Sequence, residues 1–212
     1  MLSAMPALNY KYSSLVAVAG LIALLGFAAE EVFAQDAPQT CVPEEVADAA
    51  VPDPLDAQQR TLAAHLSRRF QVADEGIGLA VFAAYRAAQE VGLDPLLVLA
   101  MISIESSFNP AAESTMGAKG LMQIIPRFHL AKLKPHGGAQ AVLDPESNIA
   151  VGARILQEYV YRTGSLEAGL QQYNGASRDE SAQYAQKVMA ERSRLERVLR
   201  RTQVTAIDSQ GG

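Results

Sequence analysis

The 212-residue chain has a single cysteine, Cys41, no tryptophan and three histidines. One cysteine rules out a disulfide framework and a cysteine-built zinc site, so the fold must rest on its hydrophobic core. His65, His129 and His136 lack metal-ligand spacing, and no metal or other cofactor is expected. An excess of positive charge is missing too: the formal net charge is −5, without the electrostatic footprint of nucleic-acid binding. Convincing period-two alternation, the mark of half-buried strands, occurs nowhere. The small and apolar run at residues 15–29 is shorter than the roughly 20 residues a membrane-spanning helix needs.

That run follows Lys11 and leads into Glu30-Glu31-Val32-Phe33-Ala34-Gln35, which reads as a secretory signal over residues 1–34, cleaved after Ala34, or as an uncleaved signal anchor. Either places the remainder in the periplasm or cell envelope, with membrane association only through the anchor. Residues 35–58 form an acidic Pro/Ala-rich linker, because Pro38, Pro43, Pro52 and Pro54 lie among alanines and acids that cannot bury enough apolar area to fold. Cys41 is not preceded by a lipoprotein-type sequence and reads as a spare thiol. Most of the acidity belongs to this leader, since residues 59–212 hold fifteen acids against seventeen bases.

From residue 59 to 201 the pattern is helical throughout, predicting a single all-α domain followed by a tail at 202–212. Leu62, His65, Leu66 and Phe70 recur at three- and four-residue spacing. Gly92 closes one helix and Asp94-Pro95 opens the next, with aspartate as N-cap and proline at the first helical position; Asp144-Pro145 repeats the device. Gly164 ends the helix begun at Asp144, and Ser165 caps a short one reaching Tyr173. The last helix carries Tyr184, Val188, Leu195 and Leu199, with Lys187, Arg192, Arg194, Arg197, Arg200 and Arg201 as a solvated basic face, or one drawn to an anionic wall.

One helix has no polar face. Residues 96–104 are apolar all round except for a serine, which predicts a course through the core, and the helix ends in Glu105. Partial desolvation and the negative end of the helix dipole both favour the neutral acid there, as a general acid at neutral pH requires. A glutamate ending a buried helix is ordinarily just a terminus reaching the surface, and its neighbours decide the matter here. The chain runs Glu105-Ser106-Ser107-Phe108-Asn109-Pro110, then Ser114, then Gly117-Ala118-Lys119-Gly120-Leu121-Met122-Gln123-Ile124-Ile125-Pro126. Asp144-Pro145 with Asn148-Ile149 and Gly152, then Tyr173-Asn174-Gly175, then Tyr184 and Val188 follow. In order and spacing these blocks resemble the family 1 lytic transglycosylases of bacterial cell walls, the soluble-lytic-transglycosylase-like or SLT group.

Asn109-Pro110 breaks the chain after the acid, and Gly117 and Gly120 permit a tight turn and close backbone approach to a ligand. The resemblance implies a lysozyme-like fold of the goose type, with Glu105 as the single catalytic acid/base, Ser114 a partner near it, and Gln123, Tyr173 and Asn174 binding substrate. It further implies cleavage of the bond between N-acetylmuramic acid and N-acetylglucosamine in peptidoglycan glycan strands, leaving 1,6-anhydromuramoyl ends. Ile125 stands where many members carry methionine, and the Tyr-Asn-Gly block lacks an extra small residue often found there. Glycosidases commonly use two carboxyl groups, but neither Glu113 nor Asp144 occupies a position the family uses catalytically. The alternatives are a muramidase, which hydrolyses the same bond, and a catalytically silent wall-binding or scaffold domain of a secretion apparatus. A monomer is expected, and no protein partner is legible.

Overall fold

The computed structural model describes residues 55–179 and 181–210, with side chains to residue 203. The signal segment, Cys41 and all but the last residues of the linker lie outside the described residues. Seven helices follow in order: α1 (Ala57–Phe70), α2 (Asp74–Val91), α3 (Pro95–Glu105), α4 (Pro126–Leu133), α5 (Pro145–Thr163), α6 (Leu166–Tyr173) and α7 (Gln183–Gln210). Two short 3-10 turns, Lys134–His136 and Ala139–Leu143, join α4 to α5. No strand occurs among the described residues, only isolated bridges of Lys119 with Glu113 and Ile124.

The helix boundaries follow from capping chemistry. Asp94 accepts a hydrogen bond from the Leu96 N–H, Asp144 from Ser147 and Ser165 from Ala168, each satisfying a donor the first helical turn leaves free. Gly92 and Gly164 close α2 and α5 in the left-handed region. Two boundaries differ from those the sequence suggested. Asp56 and Gln59 form a reciprocal capping box, so α1 begins at Ala57, inside the stretch read as linker. At the other end α7 continues to Gln210 instead of yielding to a tail after 201, because no glycine or proline interrupts it before Gly211.

α3 packs against α2 and α7, and every side chain from Leu96 to Ser103 is buried, as its lack of a polar face requires. α1 lies on α2 and α7, while α5 lies on α2 and α6. The joint between α1 and α7 is ionic at its centre: Glu191, 3% exposed, takes both Arg69 and Arg194. Arg192 pairs with Asp94 and Glu196, and Arg200 with Glu196. Much of the basic face of α7 is thus neutralised within the protein.

The loop between α3 and α4 is held by side chains from distant parts of the chain. Asn148, fully buried on α5, accepts from the Met122 N–H at 2.8 Å and donates to the carbonyls of Val142 at 2.8 Å and Lys119 at 3.0 Å. Every hydrogen-bonding group of its amide but one oxygen lone pair is engaged. Gly120 is required for this approach: a Cβ there would fall 2.4 Å from the Asn148 amide nitrogen and 2.8 Å from the Val142 carbonyl oxygen, at φ +75°. The tightness expected at Gly120 is thus needed for packing against Asn148 of α5.

Candidate active site

Glu105 is the last residue of α3, and the chain leaves it through two consecutive non-glycine residues in left-handed geometry, Ser107 (φ 52°) and Phe108 (φ 64°). Such conformations cost of order 1–3 kcal/mol each and persist only where packing enforces them. Phe108 supplies that packing: it is 2% exposed, and its ring centroid lies 5.3 Å from that of Phe70.

Burial pushes the Glu105 carboxyl above the ordinary glutamate value. A hydrogen bond donated by the Tyr184 hydroxyl to Glu105 Oε1, at 2.5 Å, opposes this in part by favouring the carboxylate. Tyr184 sits in the first turn of α7, set by Gln171 of α6, whose amide oxygen accepts from the Ala185 N–H while its nitrogen bonds the carbonyls of Ala176 and Asp179. Burial and the nearby Glu105 hold both Tyr184 and Tyr173 well above the ordinary phenol value, so each remains a neutral donor. A Tyr184→Phe protein should therefore show the Glu105 titration moved further up, since the interaction favouring its ionised form is gone; carboxyl-labelled NMR across pH checks the direction.

A cleft of about 280 Å³, whose lining includes Tyr173 but not Glu105, is formed by Gln123, Ile124, Ile125, Phe128, His129, Ile155, Tyr159, Gln172, Tyr173, Asn174 and Gly175. Tyr173 links the two: its ring lines the cleft, its hydroxyl donates to the Met122 carbonyl at 2.8 Å, and Glu105 lies within electrostatic reach. The family of this arrangement can now be stated, because residues 82–194, more than half of the chain, match the model described as "Transglycosylase SLT domain".

The chain belongs to the transglycosylase SLT domain family.

The match contains α3, the loop, the cleft and Tyr184. Among similar proteins, a "Transglycosylase" of Enterobacteria phage PRD1 is 40% identical over 91 residues, covering 43% of this chain and 32% of its own. A "Soluble lytic murein transglycosylase" of Escherichia coli is 36% identical over 103 residues, 46% of this chain and 15% of its own. The chain thus spans a third or less of these relatives' length. The solved structure of an inactive mutant of the lytic transglycosylase Slt from Pseudomonas aeruginosa superimposes with a TM-score of 0.52 at 22% identity, over 64% of this chain and 26% of that one. This last likeness is one of fold, and the SLT domain here is all-α and lysozyme-like.

The residues named from sequence are not placed alike. Gln123, Tyr173 and Asn174 line the cleft together. Gln123, at φ 50°, spends its amide nitrogen on the carbonyls of Ala112 and Gly120, at 3.0 and 3.1 Å, which leaves its oxygen as the group available to a ligand. Ser114 forms no hydrogen bond with Glu105; its hydroxyl accepts from the Ala118 N–H at 3.1 Å and ties the turn around Gly117, with its own proton still available to donate. Ile125 does form part of one wall of the cleft. His129 lines it also, displaced from helical geometry at φ −129°, and burial lowers its imidazole below the ordinary value, so it is neutral at pH 7.

Sequence reasoning placed Tyr184 in a motif and on a core face without giving it a site role. Its signal was there, a tyrosine four residues before Val188 in the last helix, but only the packing of α7 on α3 aims its hydroxyl at Glu105. Phe128 and Tyr159, two rings of the cleft, carried no signal of that kind.

Proposed function

We propose that this protein is an exported lytic transglycosylase that cleaves the β-1,4 bond between N-acetylmuramic acid and N-acetylglucosamine in peptidoglycan, with Glu105 as its single general acid/base. The observation carrying this reading is a half-buried carboxyl, raised in pKa and within electrostatic reach of Tyr173, a wall residue of a cleft equipped with carboxamides and aromatic rings. Protonated Glu105 donates its proton to the glycosidic oxygen as the bond from the muramoyl C1 breaks, and the 2-acetamido carbonyl oxygen assists at C1. The Glu105 carboxylate then takes the proton of the sugar's own 6-hydroxyl, whose oxygen attacks C1 and closes the 1,6-anhydro ring. No water is consumed, and Glu105 ends protonated. Intramolecular geometry replaces a second carboxylate.

The acids weighed as a second group are engaged elsewhere, which supports this division of labour. Glu113 pairs with Lys119 at 2.8 Å and Asp144 caps α5. Tyr184 keeps the acid oriented and steadies the carboxylate between the two proton transfers. The Gln123 oxygen and Asn174 suit an acetamido N–H and sugar hydroxyls, Tyr173 forms a wall of the sugar site, and Ser114 offers its remaining proton to substrate. The glycan strand is the partner, met in the periplasm or cell envelope, to which a signal at residues 1–34 would direct the chain.

The test is to incubate the full-length protein with purified sacculi and identify released muropeptides by mass spectrometry. Anhydromuramoyl ends, absent with the Glu105→Gln form, are the expected result. Reducing ends would make the enzyme a muramidase, and binding without release would make it a silent wall-binding domain.

A further inference from the structure

Arg192, Arg194 and Arg200 of α7 face carboxylates within the protein, but two arginines beside the cleft do not. Arg127 and Arg162 have no carboxylate partner among the described residues. Each guanidinium instead lies over an aromatic ring of the cleft wall, Arg127 at 4.7 Å from the Phe128 centroid and Arg162 at 4.8 Å from that of Tyr159. Residues 114–143 contain no aspartate or glutamate, so nothing nearby in sequence competes for Arg127. Stacking on a ring restrains a guanidinium without consuming its N–H donors, which leaves a planar fork suited to a carboxylate. Phe128 is 65% exposed, a large ring that serves the core little and carries an arginine at the cleft's edge.

We propose that Arg127 and Arg162 bind the free carboxylates of the acidic stem peptides carried by muramoyl residues, so that the cleft selects stem-bearing strands over bare glycan. The inference rests on the glycan-cleaving reading and extends it to the substrate's branches. The sugar backbone offers hydroxyls and neutral amides, which match the carboxamides of Gln123, Gln172 and Asn174 inside the cleft. Carboxylates reside on the stems, which branch away from the backbone, so cations that read them belong beside the cleft and not next to the acid. A cation close to Glu105 would stabilise its ionised form, whereas burial disfavours that form here. The charge is therefore placed where it can hold an anion without spoiling the acid.

The test compares kcat/KM on glycan strands bearing their stems and on the same strands after enzymatic removal of the stems. Three full-length proteins are used: wild type, the double variant Arg127→Gln with Arg162→Gln, and Arg68→Gln on α1 as a charge-loss control. Wild type and control should prefer stem-bearing strands by about tenfold, mostly through KM and less so at high salt, and the double variant should lose most of that preference. An unaltered preference in the double variant, or none in wild type, overturns the proposal. Calorimetric titration with a soluble stem tetrapeptide, free or with its carboxylates amidated, reads the same contact without catalysis. Binding of the free form alone, lost in the double variant, supports the inference even if no strand is cut, whereas failure to bind the free form overturns it. Absence of cleavage with both strand types would instead count against the catalytic reading.

Discussion

Replacing Glu105 by glutamine should lower the rate of glycan cleavage by about 10²–10⁴-fold or more, the usual share of a positioned acid/base, without disturbing the fold. The amide has the carboxyl's shape, and its oxygen can still accept from Tyr184, but it holds no proton to deliver. Stability should change in the opposite sense to activity. Burial raises the folded-state pKa of Glu105 above its unfolded value, so between those two values the folded protein binds more protons. The stability this contributes is fully present below the unfolded pKa and is lost as pH rises through the folded one. Glutamine has no such loss. Urea denaturation at pH 4 and pH 7.5 should show Glu105→Gln gaining on wild type as pH rises. Retained cleavage would remove Glu105 from the chemistry, and a relative loss of stability at pH 7.5 would show that its ionised form is well accommodated.

The second large effect should come from Asn148, which touches neither Glu105 nor the cleft. Asn148→Ala removes three hydrogen bonds at a fully buried position and strands the Met122 N–H and the Val142 carbonyl, while the Lys119 carbonyl keeps the Ile124 N–H. Leaving buried polar groups unpaired costs about 1–3 kcal/mol apiece before relaxation, so a net loss of about 3–5 kcal/mol is expected in denaturant unfolding. Asn148→Asp should fare no better, since a carboxylate can accept from Met122 but repels the two carbonyl oxygens. Because Met122 also receives the Tyr173 hydroxyl, cleavage should fall under conditions where the variants remain folded. A loss below 1 kcal/mol would mean that the loop is held by its own turns, through the paired bonds of Lys119 with Ile124 and the amide of Gln123.

Much of this molecule is legible locally. Caps are short-range chemistry, so Asp94, Asp144, Gly92, Gly164 and Ser165 act where the sequence places them. The apolar run of α3 could only be a core helix, and it is buried from Leu96 to Ser103, emerging at Ile104 just before Glu105. The misplaced boundaries have equally local causes. Asp56 looked like one more linker acid because its capping partner, Gln59, lay across the assumed border, and α7 outran its last apolar residue because nothing stopped it.

Function divides along the same line. The order of motif residues determined the family and singled out Glu105 together with Gln123, Tyr173 and Asn174, the last three of which meet in one cleft. At Gly120 the close approach is made by Asn148, which no short-range pattern foretells. The Ser114 hydroxyl accepts a bond within its own turn, and the hydroxyl that donates to Glu105 comes from Tyr184, 79 residues away. The same holds for Asn148, 26 residues from the backbone it pins, and for the arginines stacked beside the cleft. Periodicity and spacing report which face of a helix is apolar, because that is set by neighbours one turn away. Which polar group meets which is set by the packing of whole helices, and only tertiary structure decides it.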